Sequence, residues 1–514
     1  MRALLLSLQK NLNILGLKLL HQILLENNYE SRLLYVNRFS PENSKMLNAL
    51  EGFVREYNPS WIGISLTASE FPSARDITVY LKQKFDSLPV VWGGIQPTAD
   101  TNRCAKYADY VCIGEAEPSI IDICRAIESG KSLKEVNNLA WLEKGQLIQN
   151  PLNPLIRDLD KLPFVPRLAK NSYLLSNDKV LPLTRQLYMK YSAFHGGIYR
   201  IVSSRGCPFR CSYCLNSFFD KIYPDWSLRW ASPEHIVDEI CAGVSEDLPL
   251  LFISMQDDNL FAQKTEVLEH FFDLYKRKVN KPFILLSTPN FITEEKLKMA
   301  VDAGLSTIHI GLQSGSERIN RGIYNRKIPI EQFLKVTKIV DKFPVVPYYD
   351  IICDNPYETE EDELETVRTL AEIPKPYFFL LFSLTLYEGT DLRKRVKEEK
   401  PEFLHDDTEK DFLIISSTPL NLLKHFATIF PPRAINYLIE QYQKKPNSLF
   451  THFLFKFYKW TGFYLLKPFI FLWILLKFNR YSLLHFLKTL PRFIDFRAIW
   501  VFNLFNTSHD TTLE

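Results

Sequence analysis

Short apolar runs alternate with helix-period stretches through most of this chain. In the first 130 residues the runs 3–8, 33–36, 61–66, 90–92 and 110–113 read as strands, with amphipathic patterns between them. Runs that are apolar throughout suit strands buried on both faces. This alternation therefore predicts an α/β fold: five βα units forming a parallel sheet, with helices on both faces and ligands bound beyond the carboxyl ends of the strands. Residues 131–194 carry weaker periodicity and several prolines, among them Pro151, Pro154, Pro163, Pro166 and Pro182. They read as a linker with some strand.

A second alternating series follows at 195–400. Its strands are expected at 199–203, 248–254, 283–286, 307–312, 345–352 and 377–384, with helices at 234–242, 265–276, 294–303, 330–342 and 360–371. Thr359 and Asp362 form a capping-box signature for the last of these helices. Six βα units make a partial, TIM-barrel-like (βα)6 barrel, with chemistry expected at its carboxyl-terminal mouth. From 401 to 514 the pattern turns helical and aromatic-rich. The expected organisation is thus 1–130, a 131–194 linker, 195–400 and a 401–514 helical region.

Composition changes this picture little. A chain of 514 residues is too long for one ordinary core, and 46% hydrophobic with 24% charged residues describes a folded globular protein. The net charge of only +3 gives no reason to expect a nucleic-acid partner. The apolar start has no small-residue cleavage pattern, so it reads as a first buried strand and the expected location is cytoplasmic.

Cysteine spacing adds chemistry. Three of the eight cysteines stand in Gly206-Cys207-Pro208-Phe209-Arg210-Cys211-Ser212-Tyr213-Cys214, directly after the first strand of the second series. Three thiolates can bind three irons of a 4Fe-4S cubane and leave the fourth iron open. A structural zinc site would need a fourth ligand, and His195 and Cys241 are poorly placed to supply one. Three core cysteines on a loop remain the plain alternative, although their crowding around Gly206 and Pro208 speaks against it. The other five cysteines read as small buried residues.

With an aromatic residue just before its third cysteine, this motif resembles that of the radical S-adenosylmethionine (SAM) superfamily. The resemblance implies a 4Fe-4S cluster on Cys207, Cys211 and Cys214 whose open iron binds SAM, with Tyr213 near the adenine. Reductive cleavage of SAM would then give a 5'-deoxyadenosyl radical, with electrons from an external donor such as flavodoxin or ferredoxin. The segment from Ile308 to Glu317 resembles the family's fourth-strand stretch, which places Gln313 and Ser314 at the methionine or ribose end of SAM. Gln313 stands where a glutamate is usual, and its amide can still bond ribose hydroxyls. Asp257 and Asp258 occupy the place of the family's contact to the SAM amino group, or form a simple acidic turn. The segments Asp350 to Thr359 and Leu386 to Thr390 resemble the fifth-strand stretch and the sixth-strand exit. Cys353, near the barrel mouth, reads as a buried strand residue.

A five-unit parallel sheet ahead of such a barrel resembles the Rossmann-like cobalamin-binding domain of one branch of this superfamily. Glycines at strand ends let a flat, bulky ligand approach the backbone, and hydroxyls can bond its nucleotide tail. Ser65, Thr67, Gly93, Gly94, Gly114 and Glu115 are the positions so implicated. Asn13 stands where methyl-transferring cobalamin domains place a cobalt-ligating histidine, so no histidine from that motif would ligate the metal here. A sheet that has lost the cofactor stays open as an alternative. His21, on an apolar helix, reads as surface or satisfied core.

Between 450 and 500, Lys456, Lys459, Lys467, Lys477, Arg480, Lys488, Arg492 and Arg497 face a single acid, Asp495, amid large apolar residues. The stretch 450–505 reads either as peripheral membrane contact or as a helical cap on the barrel. Its longest apolar run, 468–476, is too short to span a bilayer.

The resemblance implies a cobalamin-dependent methyltransferase acting on an unreactive carbon or phosphorus centre of a small or lipid-like substrate. Ring formation, ring rearrangement or oxygen insertion with the same cofactors is the alternative. Methylthio transfer to tRNA would need amino-terminal cluster cysteines, for which Cys104, Cys112 and Cys124 are poorly placed. A non-catalytic cobalamin-binding protein would leave the three-cysteine loop idle.

Overall fold

Strand Arg2–Ser7 feeds alternate side chains into two different cores. Leu4 and Leu6 join Leu34, Val36, Ile62 and Ile64 on one face of the sheet. Ala3 and Leu5 join Leu33, Tyr35 and Trp61 on the other. Burial on both faces demands continuous apolar runs, and the strands fall where those runs lie: Arg2–Ser7, Glu30–Val36, Trp61–Ser65, Val90–Gly93 and Tyr110–Cys112. All five are parallel. The second strand lies on one side of the first, and the third, fourth and fifth lie on the other. The order reverses at Arg2–Ser7, and such a switch point opens a crevice at the carboxyl ends of the strands.

The computed structural model describes residues 1–408, 410–446 and 448–466. The aromatic, basic stretch read at 450–505 therefore lies outside the described residues from 467 onward. The chain forms two compact units. The first comprises Met1–Pro208, Tyr213–Leu250 and Leu386–Lys410; the second comprises Phe209–Ser212, Leu251–Thr385 and the described residues from 411 on.

Residues 131–194 contribute more than a connection. Leu139–Glu143 and Gln146–Gln149 form an antiparallel hairpin against Tyr110–Cys112. On the opposite edge, Ser172–Ser176 pairs parallel with Glu30–Val36, and Lys179–Pro182 closes that side antiparallel. The expected five-stranded parallel sheet is thus the centre of a nine-stranded one. Both outermost strands are largely exposed, so they lack the apolar signature that marks the central five.

In the second unit, Phe252–Met255, Phe283–Ser287, Leu305–Gln313, Val346–Cys353 and Phe378–Ser383 run parallel and neighbour one another in chain order. Helices Thr265–Lys278, Glu294–Ala303, Ile330–Val340 and Glu360–Glu372 make the crossovers. The last of these has both halves of its expected capping box, with Thr359 and Asp362 bonding each other's backbone N–H. Strand Ile198–Ile201, which opens the second series, falls within the first unit. Helices Pro419–Ile429 and Pro432–Lys444 pack on Glu360–Glu372, and Leu449–Trp460 follows them. Among the described residues no helix is long and apolar enough to cross a membrane.

Candidate functional site

The cysteine loop leaves a two-residue strand, Ser204–Arg205, that pairs antiparallel with Arg229–Trp230. Gly206 follows at φ +97°, and a Cβ there would stand 3.1 Å from the Ser227 carbonyl, so the turn into Cys207 needs glycine. Cys211 is buried, and Cys207 and Cys214 are half-buried. The centre of the loop is fastened within the second unit. Ser212 donates its N–H to the Tyr324 carbonyl (2.9 Å) and its hydroxyl to the Ile323 carbonyl (2.6 Å), while Asn325 Nδ2 donates to the Arg210 carbonyl (2.9 Å).

Ile323 ends a π-helical turn, Arg318–Ile323, that follows the exit of strand Leu305–Gln313. Asn320 in that turn donates to the Ser314 carbonyl (2.6 Å). The structure thus ties the Cys211 stretch to the Gln313–Ser314 segment through one short bridge. Gln313 has φ +69°, a left-handed backbone rare outside glycine, at a register shift in the ladder. Its side-chain amide folds back over Gly311, whose carbonyl accepts from the buried Arg326 (2.8 Å).

Ser314 is fully buried and donates to Glu358 (3.1 Å), and Gly315 sits so close to helix Glu360–Glu372 that a Cβ would meet Thr366 Cα at 2.4 Å. Burial pushes the Glu358 carboxyl up to about 7, with Lys424 opposing the shift. Lys424, buried on helix Pro419–Ile429, donates to Glu363 (3.2 Å) and Asn421 (2.9 Å), and its Nζ lies 3.6 Å from Cys353 Sγ. Burial pulls the lysine down, but Cys353, Glu363 and Glu358 outweigh it and hold the ammonium above its ordinary range. Burial raises the Cys353 thiol to about 12, as suits a buried strand residue.

Asp257 and Asp258 follow strand Phe252–Met255, two strands away from Leu305–Gln313. Asp257 is buried and Asp258 is exposed, so the pair does not act as one exposed acidic turn. Tyr213 is half-buried in the cysteine loop.

In the first unit, Ser65 and Gly93 are register partners at the carboxyl ends of adjacent parallel strands, near the switch point. Gly94 has φ +102°, and a Cβ there would lie 2.8 Å from the Leu66 carbonyl and 3.1 Å from Ser65 Oγ. Thr98 ties the strand ends together, donating to the Gly94 carbonyl (2.8 Å) and accepting from Gly114 N–H (3.0 Å).

Three positions expected to face a ligand here are committed within the protein. The Thr67 hydroxyl donates to Glu70 (2.6 Å) in the cap of the turn Ala68–Glu70. The space over Gly114 is filled by the Tyr223 hydroxyl, which accepts from Glu115 N–H (3.1 Å). The Glu115 carboxylate takes a bidentate bond from Arg229 (3.0 and 2.6 Å) and an ion pair from Arg205 (3.2 Å). Burial alone would raise that carboxyl, but the two arginines hold it below its ordinary range. Asn13, in the histidine position, donates to the Ile198 carbonyl (2.8 Å) and is buried. His21 is satisfied core, bonded to Ser31 Oγ and the Lys170 carbonyl (2.7 Å each).

Sequence reasoning passed over Glu358, Lys424, Thr98 and Tyr223 as site residues. Lys424 had a readable signal, because it is a lone cation in the apolar helix Pro419–Ile429. Among the described residues no group of three or more His, Cys, Asp or Glu side chains forms a preassembled metal cage. The fit to a cluster lies in the donor chemistry: three soft thiols, suited to iron–sulfur ligation with one iron left open. For cobalamin, the Ser65 hydroxyl and the Gly93–Gly94 backbone are the groups that fit a nucleotide tail at a switch point.

Comparison with known proteins agrees with both parts. The Radical SAM superfamily profile matches residues 201–370, and the B12 binding domain profile matches residues 1–123. The chain is 26% identical over 349 residues to an uncharacterised methyltransferase of Pyrococcus horikoshii, covering 66% of this chain and 70% of that one. It is 23% identical over 321 residues to the anaerobic magnesium-protoporphyrin IX monomethyl ester cyclase of Rubrivivax gelatinosus, covering 60% of this chain and 54% of the cyclase. Its fold is similar to that of the radical SAM methyltransferase TsrM from Kitasatospora setae, with TM-score 0.62 and 16% identity over 77% of this chain and 76% of that one. It is equally similar to the cobalamin-dependent radical SAM enzyme OxsB, with TM-score 0.62 and 16% identity over 86% and 67%. One chain thus joins a B12 binding domain to a radical SAM domain, the two parts that its parallel sheet and its cysteine loop respectively resemble.

Proposed function

We propose that this enzyme transfers a methyl group to an unreactive carbon or phosphorus centre of a small or lipid-like substrate. The observation that carries the reading is the pairing, on one chain, of the Cys207–Cys211–Cys214 loop with a switch-point cradle at Ser65, Gly93 and Gly94. When bound, the cluster would supply the electron that cleaves SAM, and cobalamin would carry the methyl group.

The residues then divide the work. Cys207, Cys211 and Cys214 would hold the cluster, and the bonds from Ser212 and Asn325 fix the loop between them. Gln313, with its backbone already in a left-handed turn, offers an amide to ribose hydroxyls. Ser314 and Glu358 hold that turn in place. Tyr213 would lie beside the adenine, and Asp257 or Asp258 would bond the SAM amino group. Ser65, Gly93 and Gly94 would receive the cobalamin tail. Asn13, in the position of the histidine of methyl-transferring cobalamin domains, serves the scaffold and would supply no imidazole to the cofactor. An external reductant completes the system.

A second reading, ring formation with the same cofactors, draws on the likeness to the Rubrivivax gelatinosus cyclase. Anaerobic reconstitution with iron, sulfide and cobalamin, followed by SAM turnover in the wild type and in Cys211→Ala, tests both readings. Four irons per chain, bound cobalamin, and S-adenosylhomocysteine formed alongside 5'-deoxyadenosine would support methyl transfer. 5'-Deoxyadenosine without S-adenosylhomocysteine would favour ring chemistry. SAM cleavage that survives in Cys211→Ala would overturn the cluster assignment.

A further inference from the structure

Helix Leu449–Trp460 is apolar on two faces. The inner face packs on the preceding helices: Phe455 against Phe426 and Tyr442, with ring centroids 5.9 and 6.3 Å apart, and Tyr458 against Phe430 at 4.6 Å. The outer face carries Leu449, Phe450, Phe453, Phe457 and Trp460, exposed at 91%, 54%, 63%, 50% and 56%. Steps of three and four residues place them on one stripe, and Leu465 and Leu466 extend the exposed apolar surface beyond the helix. A helix that served only its own fold would carry polar residues there, so a contiguous apolar stripe marks a contact surface.

The charges around the stripe select its partner. His452 and Lys456 are exposed beside it, and Lys459 lies on the same helix. From 450 to 500 the sequence holds eight lysines and arginines against Asp495 alone. A second copy of this surface would bring like charges together. The sequence from 467 to 500 holds six lysines and arginines against Asp495 alone, so it does not complement the helix lysines either. Aromatic rings flanked by cations match the headgroup region of an anionic bilayer, where rings sit at the interface and cations meet lipid phosphates. At twelve residues the helix is suited to lying in the membrane plane rather than crossing it.

We infer that Leu449, Phe450, Phe453, Phe457 and Trp460 form a face that docks the chain on the surface of an anionic lipid bilayer. This inference is independent of the reaction, and SAM cleavage is measured beside it so that failure of one is separable from failure of the other. The test is co-sedimentation of the full reconstituted chain with vesicles of phosphatidylcholine alone, or of phosphatidylcholine mixed with phosphatidylglycerol. Binding to the anionic vesicles should exceed that to neutral ones about tenfold and weaken as salt rises. A Phe453→Glu/Phe457→Glu variant should lose that binding while still cleaving SAM, and Lys456→Glu, which leaves the apolar stripe intact, should weaken it severalfold.

Absence of sedimentation with either vesicle would overturn the proposal. So would equal, salt-independent binding to both. Self-association that the double variant abolishes would assign the face to a second copy instead. Loss of solubility in the double variant, with Lys456→Glu binding as wild type, would assign it to packing within the chain.

Discussion

Gly93 and Gly94 are neighbours in sequence but differ in what they demand. A Cβ at Gly93 would come no closer than 3.8 Å to another atom, whereas at Gly94 it would press on the Leu66 carbonyl at 2.8 Å from a left-handed backbone. Gly94→Ala should therefore destabilise the first unit by about 1–3 kcal/mol, while Gly93→Ala should change stability little. Denaturant unfolding of the two variants checks this. Glu358 makes a second residue-scale prediction. Its carboxyl is raised from an ordinary 4.5 to about 7, chiefly by burial, so between those values the folded chain holds a proton that the unfolded chain has released. The stability it contributes is full below 4.5 and is lost as pH rises through 7. Glu358→Gln keeps a partner for Ser314 without the charge, so unfolding free energy should depend less steeply on pH between about 5 and 7 than in the wild type. An unchanged slope would mean that Glu358 is ionised throughout. Gly94 was legible as a glycine at a strand end. The strain at Gln313 was not, because nothing in the residue type announces a left-handed turn.

At the scale of elements, the turn that bears Gln313 and Ser314 depends on how helix Glu360–Glu372 begins. Asp362 accepts from the Thr359 N–H and hydroxyl, from Ser316 Oγ and from Arg318, so one carboxylate caps the helix and anchors the strand exit. Burial opposes its charge, but Arg318, Thr359 and Ser316 prevail and hold the carboxyl well below its usual range. The stability it contributes is present above the ordinary carboxylate range and lost in acid. Thr359→Ala should cost about 1 kcal/mol as a lost cap. Asp362→Ala should cost more, about 2–3 kcal/mol, because it also strands the Ser316 and Arg318 donors. In SAM-binding titrations the second variant should weaken affinity more than the first; equal effects would mean that only the cap matters. This cap was readable from Thr359 and Asp362 alone, as were the central strands of both sheets. The edge strands Gln146–Gln149 and Lys179–Pro182 were not, since a short, exposed strand carries no apolar run and is defined by the neighbour it pairs with.

For the molecule as a whole, chain order and spatial order part company at Leu386–Lys410. This segment follows the last strand of the second unit yet belongs to the first. No local pattern foretells that return, because the pairs that secure it are 170 and 303 positions apart in the chain. Arg103, in the short helix Thr101–Cys104 after the Gly94 turn, donates to both oxygens of Asp406 (3.1 and 2.8 Å) and stacks 4.2 Å above the Phe71 ring. The Arg103 guanidinium in turn holds the Asp406 carboxyl well below its usual range, so the pair is intact at neutral pH and weakens only in acid. Lys221 pairs with Asp391, and Phe218 packs on Gly389, at the beginning of the same segment. Arg103→Ala removes a bidentate pair and a cation–π contact at one end while leaving the other end fastened. The expected cost is about 1–2 kcal/mol, discounted because both partners are about one-third exposed. That loss should appear as local opening: faster amide exchange and earlier protease cleavage within 386–410, with the exchange of strand Trp61–Ser65 unchanged. Arg103→Lys keeps a charge but cannot make the fork, so it should fall between alanine and wild type. If exchange instead quickens uniformly across the first unit, the segment is an inseparable part of that unit's core rather than a strap held by its ends.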